Sequence, residues 1–83
     1  MGMDFIIFRS VTPAQRGQKL LQSVGIRCYL QRTPRWMEER GCGYCLRLRR
    51  EDVLRAVTIL RESGLPFSKV YKGTDGTAEE WKL

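Results

Sequence analysis

The chain contains one internal repeat. With a shift of thirty-nine residues, Leu20-Leu21 falls on Ile59-Leu60, Gly25 on Gly64 and Ile26 on Leu65. In each copy an apolar stripe at helical spacing runs into a glycine, and an extended run follows. Glycine adopts the left-handed backbone that commonly ends a helix. Each copy therefore reads strand, helix, glycine stop, strand. Two such units in tandem constrain the fold more than any other feature, because each helix must bury its stripe against a sheet that both copies share.

In the first copy, Met3 to Phe8 is a short apolar run with the length and Phe/Ile content of a strand. Thr12 is positioned to cap a helix, with Pro13 at its first position and Gln15 completing a Thr-x-x-Gln capping box. Ala14, Gly17, Leu20, Leu21 and Val24 share one helical face, and the small Ala14 and Gly17 let its first turns approach a sheet closely. Past Gly25, Ile26, Cys28 and Leu30 alternate with Arg27, Tyr29 and Gln31, a second strand with one buried face. Thr33-Pro34 breaks it. A loop from Thr33 to Gly43 follows, in which Trp36 and Met37 are expected to pack down on the domain.

The second copy opens with Tyr44 to Arg49. Leu46 and Leu48 should face the core, and Cys45 the opposite, open face with Arg47 and Arg49. Glu51-Asp52 places negative charge at the start of the second helix, where its dipole favours it. Val53, Ala56, Val57 and Leu60 make the buried stripe, Gly64 the stop, and Phe67 to Lys72 a fourth strand. The pattern β-α-β-β-α-β predicts an α+β fold, a ferredoxin-like sandwich. It has one four-stranded antiparallel sheet of order 4-1-3-2 with both helices on one face. Residues 1–72 form the single domain. Residues 73–83 are expected to be either a mobile tail or one weak helical turn started by Thr77, with Trp81 docking on the open sheet face.

Chemistry concentrates in Gly41-Cys42-Gly43-Tyr44-Cys45. There is no histidine in the chain, which removes Cys–His nucleophile pairs and mixed Cys/His zinc sites. Cys42, Cys45 and Cys28 supply three thiols at best, so no metal or other cofactor is expected. In the predicted topology the third strand begins where the first ends, at the N-terminus of the first helix. Cys42 should then lie near Ser10, Thr12 and that helix terminus, where free N–H groups and the dipole favour an anion. Arg9, Arg35 and Arg40 are candidates to add positive potential, and each effect lowers a thiol's pKa. Gly41 and Gly43 leave room for a large partner atom or a docking protein.

Two readings of Cys42 result, a poised nucleophilic or sulfur-carrying thiol and an inert cysteine in a turn. Cys45 also has two, a thiol that resolves an oxidised or sulfurated Cys42 and a strand residue pointing away from it. Cys28 is most simply a core residue.

Charge and length bound the partners. Eleven Arg and four Lys against nine acidic residues give a formal charge of +6, spread along the chain. That balance admits an anionic partner. Tyr44, Arg47 and Arg49 on the third strand, with Tyr29 on the second, offer an open face, but the RNA-recognition pattern of glycines and aromatics is absent. Nucleic acid is therefore not the expected partner. A nucleic-acid-binding or dimerising module without thiol chemistry is the alternative reading, and the open sheet face offers a surface for a homodimer. No apolar run approaches the length that spans a bilayer. The odd cysteine count, and a start without a basic, apolar and small-residue leader pattern, make the cytoplasm the expected compartment.

Phe8-Arg9-Ser10, Lys19-Leu20-Leu21, Gly25-Ile26, Thr33-Pro34-Arg35, Gly41-Cys42-Gly43 and Leu46-Arg47 together resemble the Se/S carrier-like family of small bacterial domains of unknown function, over roughly residues 4 to 72. The resemblance implies a non-catalytic carrier that holds sulfur or selenium on Cys42. Donor and acceptor proteins would be its partners. Ser10, Pro34 and Arg35 fall on family positions that would frame the site. Tyr44 and Cys45 stand where the family usually has small or aliphatic residues, and the second thiol makes disulfide chemistry with Cys42 more plausible than in a one-cysteine carrier.

Overall fold

A computed structural model of the 83-residue chain describes residues 3–33, 43–74 and 77–81. The elements run β1 (Met3–Phe8), α1 (Val11–Ser23), β2 (Cys28–Arg32), β3 (Tyr44–Arg49), a 3-10 turn (Arg50–Asp52), α2 (Val53–Glu62), β4 (Lys69–Thr74) and β5 (Thr77–Glu80). All pairings are antiparallel, and the sheet has five strands in the order β2-β3-β1-β4-β5. The four-stranded sheet expected from the sequence is thereby corrected. The division placed at residue 72 falls inside β4, and the C-terminal residues supply β5. Thr77 starts a strand, not a helical turn, because β5 pairs Tyr71 with Glu80 and Lys72 with Glu79 on the free edge of β4.

The repeat is physical. Both helices end in the same Schellman arrangement. In α1 the Ile26 N–H donates to the Leu21 carbonyl at 2.9 Å, and Gly25 to Gln22 at 3.1 Å. Thirty-nine residues on, Leu65 donates to Leu60 at 3.0 Å and Gly64 to Arg61 at 3.1 Å. Gly25 and Gly64 carry φ of +86° and +71°, the conformation that favours glycine. After each motif the strand begins later than alternation suggested: β2 at Cys28 rather than Ile26, and β4 at Lys69 rather than Phe67.

At the other end of α1 the expected cap is revised. Ser10 occupies the N-cap position with extended backbone, its side chain makes no capping bond, and Thr12 lies within the helix. Glu51 and Asp52 sit in the 3-10 turn that leads into α2.

The side chains that both helices bury belong to one cluster. Ala14 and Leu21 of α1, and Val53, Ala56, Val57 and Leu60 of α2, pack with Ile6, Phe8, Leu46, Leu48 and Val70 from the sheet. Gly17 makes the close approach its size permits: a Cβ there would stand 3.3 Å from both Leu60 Cδ2 and Phe8 Cζ. A second, smaller cluster of Phe5, Ile7 and Cys45, with Tyr71 against it, occupies the opposite face.

Trp81 does not dock on that opposite face, as the sequence suggested. It packs against the helix-side cluster. Its indole N–H donates to Asp4 Oδ2 at 2.7 Å, while Arg50 Nε donates to Asp4 Oδ1 at 3.0 Å and Arg50 Nη2 to the Gly73 carbonyl at 3.1 Å. Asp4 is fully buried, so these donors replace the water its carboxylate gives up. The clasp joins β1, the β3–α2 turn, β4 and the residue after β5.

Candidate functional site

The register brings the ends of β1 and β2 and the start of β3 together at one end of the sheet. Phe8, the last residue of β1, lies opposite Tyr44, the first of β3, and Arg32, the last of β2, also lies opposite Tyr44. Beyond that pair, the Thr33 N–H donates to the Gly43 carbonyl at 3.0 Å. Thr33 and Gly43 thus meet where the chain leaves β2 and where it enters β3, beside the end of β1, and two residues after Phe8 the chain reaches the N-cap of α1. Arg9, Ser10 and Thr12 are exposed there, and Gly43 is buried. The first turn of α1 carries no acidic side chain. Its leading N–H groups therefore receive neither a Ser10 cap nor a local carboxylate. Pro34, Arg35, Arg40, Gly41 and Cys42, with Trp36 and Met37, lie outside the described residues.

Cys45 lies on the helix-free face, opposite Leu46 and Leu48 in alternation, as predicted, but that face is not open around it. It is fully buried, with Ile7 across from it on β1 and Gln31 across from it on β2. Burial pushes its thiol up to about 11. Thr33, Gln31 and the Arg47 charge each pull it part of the way back. Thr33 follows β2 on the same face, diagonal to Cys45 across the strand pair. Its side chain is 8% exposed, and its hydroxyl meets no partner at full hydrogen-bonding geometry among the described residues.

Cys28 is different in kind. It sits in the helix-side core, its Sγ donates to the Gln18 carbonyl at 3.8 Å, and burial alone pushes it to about 11. Both are free thiols. Cys28 is held as a thiol by an acceptor, whereas polar donors surround Cys45.

Sequence reasoning singled out neither Gln31 nor Thr33. The strand alternation that puts Gln31 on the Cys45 face is readable, but Thr33 carries only the signals of a strand break and of the Thr-Pro-Arg family pattern. Among the described residues the exposed aromatic is Tyr29, 50% accessible, with the Arg47 guanidinium 5.4 Å from its ring centroid. Arg32 sits over Tyr44 in the same way at 5.8 Å, beside Thr33 and Gly43. No helix is long and apolar enough to cross a membrane among the described residues.

Comparison with known proteins adds one positive finding. No curated protein and no solved structure matches the chain. The family model described as "Putative Se/S carrier protein-like" matches residues 4–72, from Asp4 into β4, and so spans both repeats and the residues between β2 and β3, Cys42 among them. By that match the chain belongs to the Se/S carrier protein-like family.

Proposed function

We propose that this protein is a sulfur or selenium carrier. It accepts a persulfide or perselenide on Cys42 and hands it to a partner protein, acting in the cytoplasm. Its β-α-β-β-α-β portion serves as a ferredoxin-like scaffold extended by β5. The observation that carries the reading is the pairing of Thr33 with Gly43. The two meet beside the end of β1, and α1 begins there with an N-terminus that Ser10 does not cap. Cys42 directly precedes Gly43 in the chain. The leading N–H groups of α1, which Ser10 does not cap, and the helix dipole, with exposed Arg9, favour a sulfur anion in that neighbourhood. Ser10 and Thr12, and between β2 and β3 Pro34, Arg35, Arg40 and Gly41, are the groups that would frame it.

Elimination among the thiols supports the same assignment. Cys28 and Cys45 are both buried and both protonated near neutral pH, which leaves Cys42 as the candidate nucleophile. A carrier needs at least one thiol that donor and acceptor proteins both reach in the closed fold, and a fully buried sulfur does not provide it. The alternative, an interaction module for nucleic acid or a second copy, rests on Tyr29 and Arg47 alone. The middle of the helix-free face offers little to stack on, since Phe5 is 9% exposed and Ile7 2%.

Alkylation of the native protein by iodoacetamide across pH 5 to 10, resolved by peptide mass spectrometry, tests the assignment. Cys42 should label fastest, with a midpoint below the usual thiol range near 8.5. Equal and slow labelling of all three cysteines would remove the basis for a carrier thiol.

A further inference from the structure

The Cys45 environment has more polar provision than a core cysteine uses. Its sulfur has Gln31 directly across the β2–β3 pair, Thr33 diagonal to it, and Arg47 two residues along its own strand on the same face. The Thr33 hydroxyl is the second, independent observation. It is more than nine-tenths buried and lies on the Cys45 side of the strand. Its one named neighbour is the Cys45 sulfur, which it meets short of full hydrogen-bonding geometry. Buried hydroxyls are ordinarily satisfied, and one whose acceptor is a neutral thiol can still take a stronger acceptor. A reduced thiol is a poor acceptor, and the Cys28 sulfur, which donates to a carbonyl, shows how this fold treats a cysteine that stays a thiol.

We propose that Cys45 is a second sulfur station, taking a sulfane sulfur from a persulfide donor and holding it as a persulfide whose terminal sulfur accepts hydrogen bonds from Thr33 and Gln31. The inference rests on the reading of this protein as a sulfur carrier and deepens it. The step balances without an outside oxidant. The Cys45 sulfur attacks the terminal sulfur of a donor R–S–SH. A new S–S bond forms on Cys45 as the donor's S–S bond breaks, and R–S⁻ leaves with the proton that Cys45 gives up. A persulfide ionises more readily than its parent thiol, so the transferred sulfur gives up its own proton to solvent and the product is anionic where the reactant was neutral. The anion then has donors to hand: the Thr33 hydroxyl, the Gln31 amide and the field of Arg47. Access comes from the strand pair itself. Among the described residues β2 is the outermost strand and pairs with β3 alone, and local opening begins at such edges. Loading of Cys45 is therefore slower than loading of an exposed thiol, and the sulfur once held is shielded from solvent.

The test uses the full chain and sodium polysulfide as the sulfur source. Reactive sulfur is capped with iodoacetamide, and chymotrypsin is used because Tyr44 lies between Cys42 and Cys45 and separates them on cleavage. The expected result is one added sulfur on the Cys45 peptide and none on Cys28. Thr33→Val should lower Cys45 loading by about tenfold or more, the effect of losing one hydrogen bond to a charged group. Thr33→Ser should keep it, and Cys42 loading should be the same in all three proteins.

If Cys42 loads and Cys45 takes no sulfur, or if Thr33→Val loads Cys45 like the parent, the second station is overturned and the carrier reading stands. If no cysteine gains sulfur from polysulfide, the carrier reading is overturned together with it. Circular dichroism of Thr33→Val separates a folding failure from a loading failure, and Gln31→Leu then probes the second donor in its place.

Discussion

Replacing Trp81 by Phe isolates the contact that ties the C-terminal residues to the sheet. The indole N–H reaches a fully buried carboxylate at 2.7 Å. A hydrogen bond to a charged group contributes about 1.5–3 kcal/mol, and its loss leaves Asp4 with Arg50 as its remaining named donor. The ring also sits 4.6 Å from Lys72 Nζ, a cation–π contact worth about 0.5–1 kcal/mol at an exposed site, part of which Phe keeps. Together these predict a loss of about 2–3 kcal/mol for Trp81→Phe. For a domain of this size that is a fall of roughly 8–24 °C in melting temperature. Urea unfolding followed by far-UV circular dichroism at pH 7 measures it, with Lys72→Ala reporting the cation–π part separately. A loss under about 0.5 kcal/mol would refute the reasoning. It would mean that β5 and Trp81 add little to a domain complete at residue 72.

Two further predictions test the repeat and the buried thiols. Gly64→Ala forces a Cβ into the left-handed conformation and should cost about 1 kcal/mol in urea unfolding. Gly25→Ala should cost a similar amount, and the double variant the sum, since the two turns share no partner. Cys28 and Cys45 are each raised from 9.0 to about 11, so the folded state holds their protons where the unfolded chain has lost them. Their contribution is complete below about pH 9 and drains as pH rises to about 11, on the order of 2 kcal/mol for each. The Cys28→Ala/Cys45→Ala double variant should show a visibly flatter fall across that window, and equal slopes would contradict the burial argument.

The periodic parts of this fold were legible because burial imposes them. The stripe Val53, Ala56, Val57, Leu60 is the set α2 buries, and the alternation in Tyr44–Arg49 separates the two faces of β3 correctly. Gly25 and Gly64 announced both helix ends because few other residues tolerate their backbone angles. β5 was not legible. Thr77-Ala78-Glu79-Glu80 has no apolar alternation, and its strand state comes from the free edge of β4 and from Trp81, which lies outside it. Asp4 was missed for a related reason, since its partners Arg50 and Trp81 are forty-six and seventy-seven residues away. In the site, chain order and register located the meeting of Thr33 and Gly43, but the cover over Cys45 was not readable. Alternation tells which face a residue occupies, not whether that face is wet. Thr33 was hidden by its neighbour, because Thr-Pro reads as a strand break whatever its hydroxyl does.

The central claim is that Cys42 carries sulfur. The most direct measurement incubates the native protein with cysteine and a cysteine desulfurase and locates added sulfur by mass spectrometry after chymotryptic cleavage. The predicted result is one sulfur on the peptide that contains Cys42, present also in Cys45→Ser and gone from that position in Cys42→Ser. Absence of added sulfur on Cys42 in the native protein, while a control acceptor in the same mixture is loaded, would contradict it.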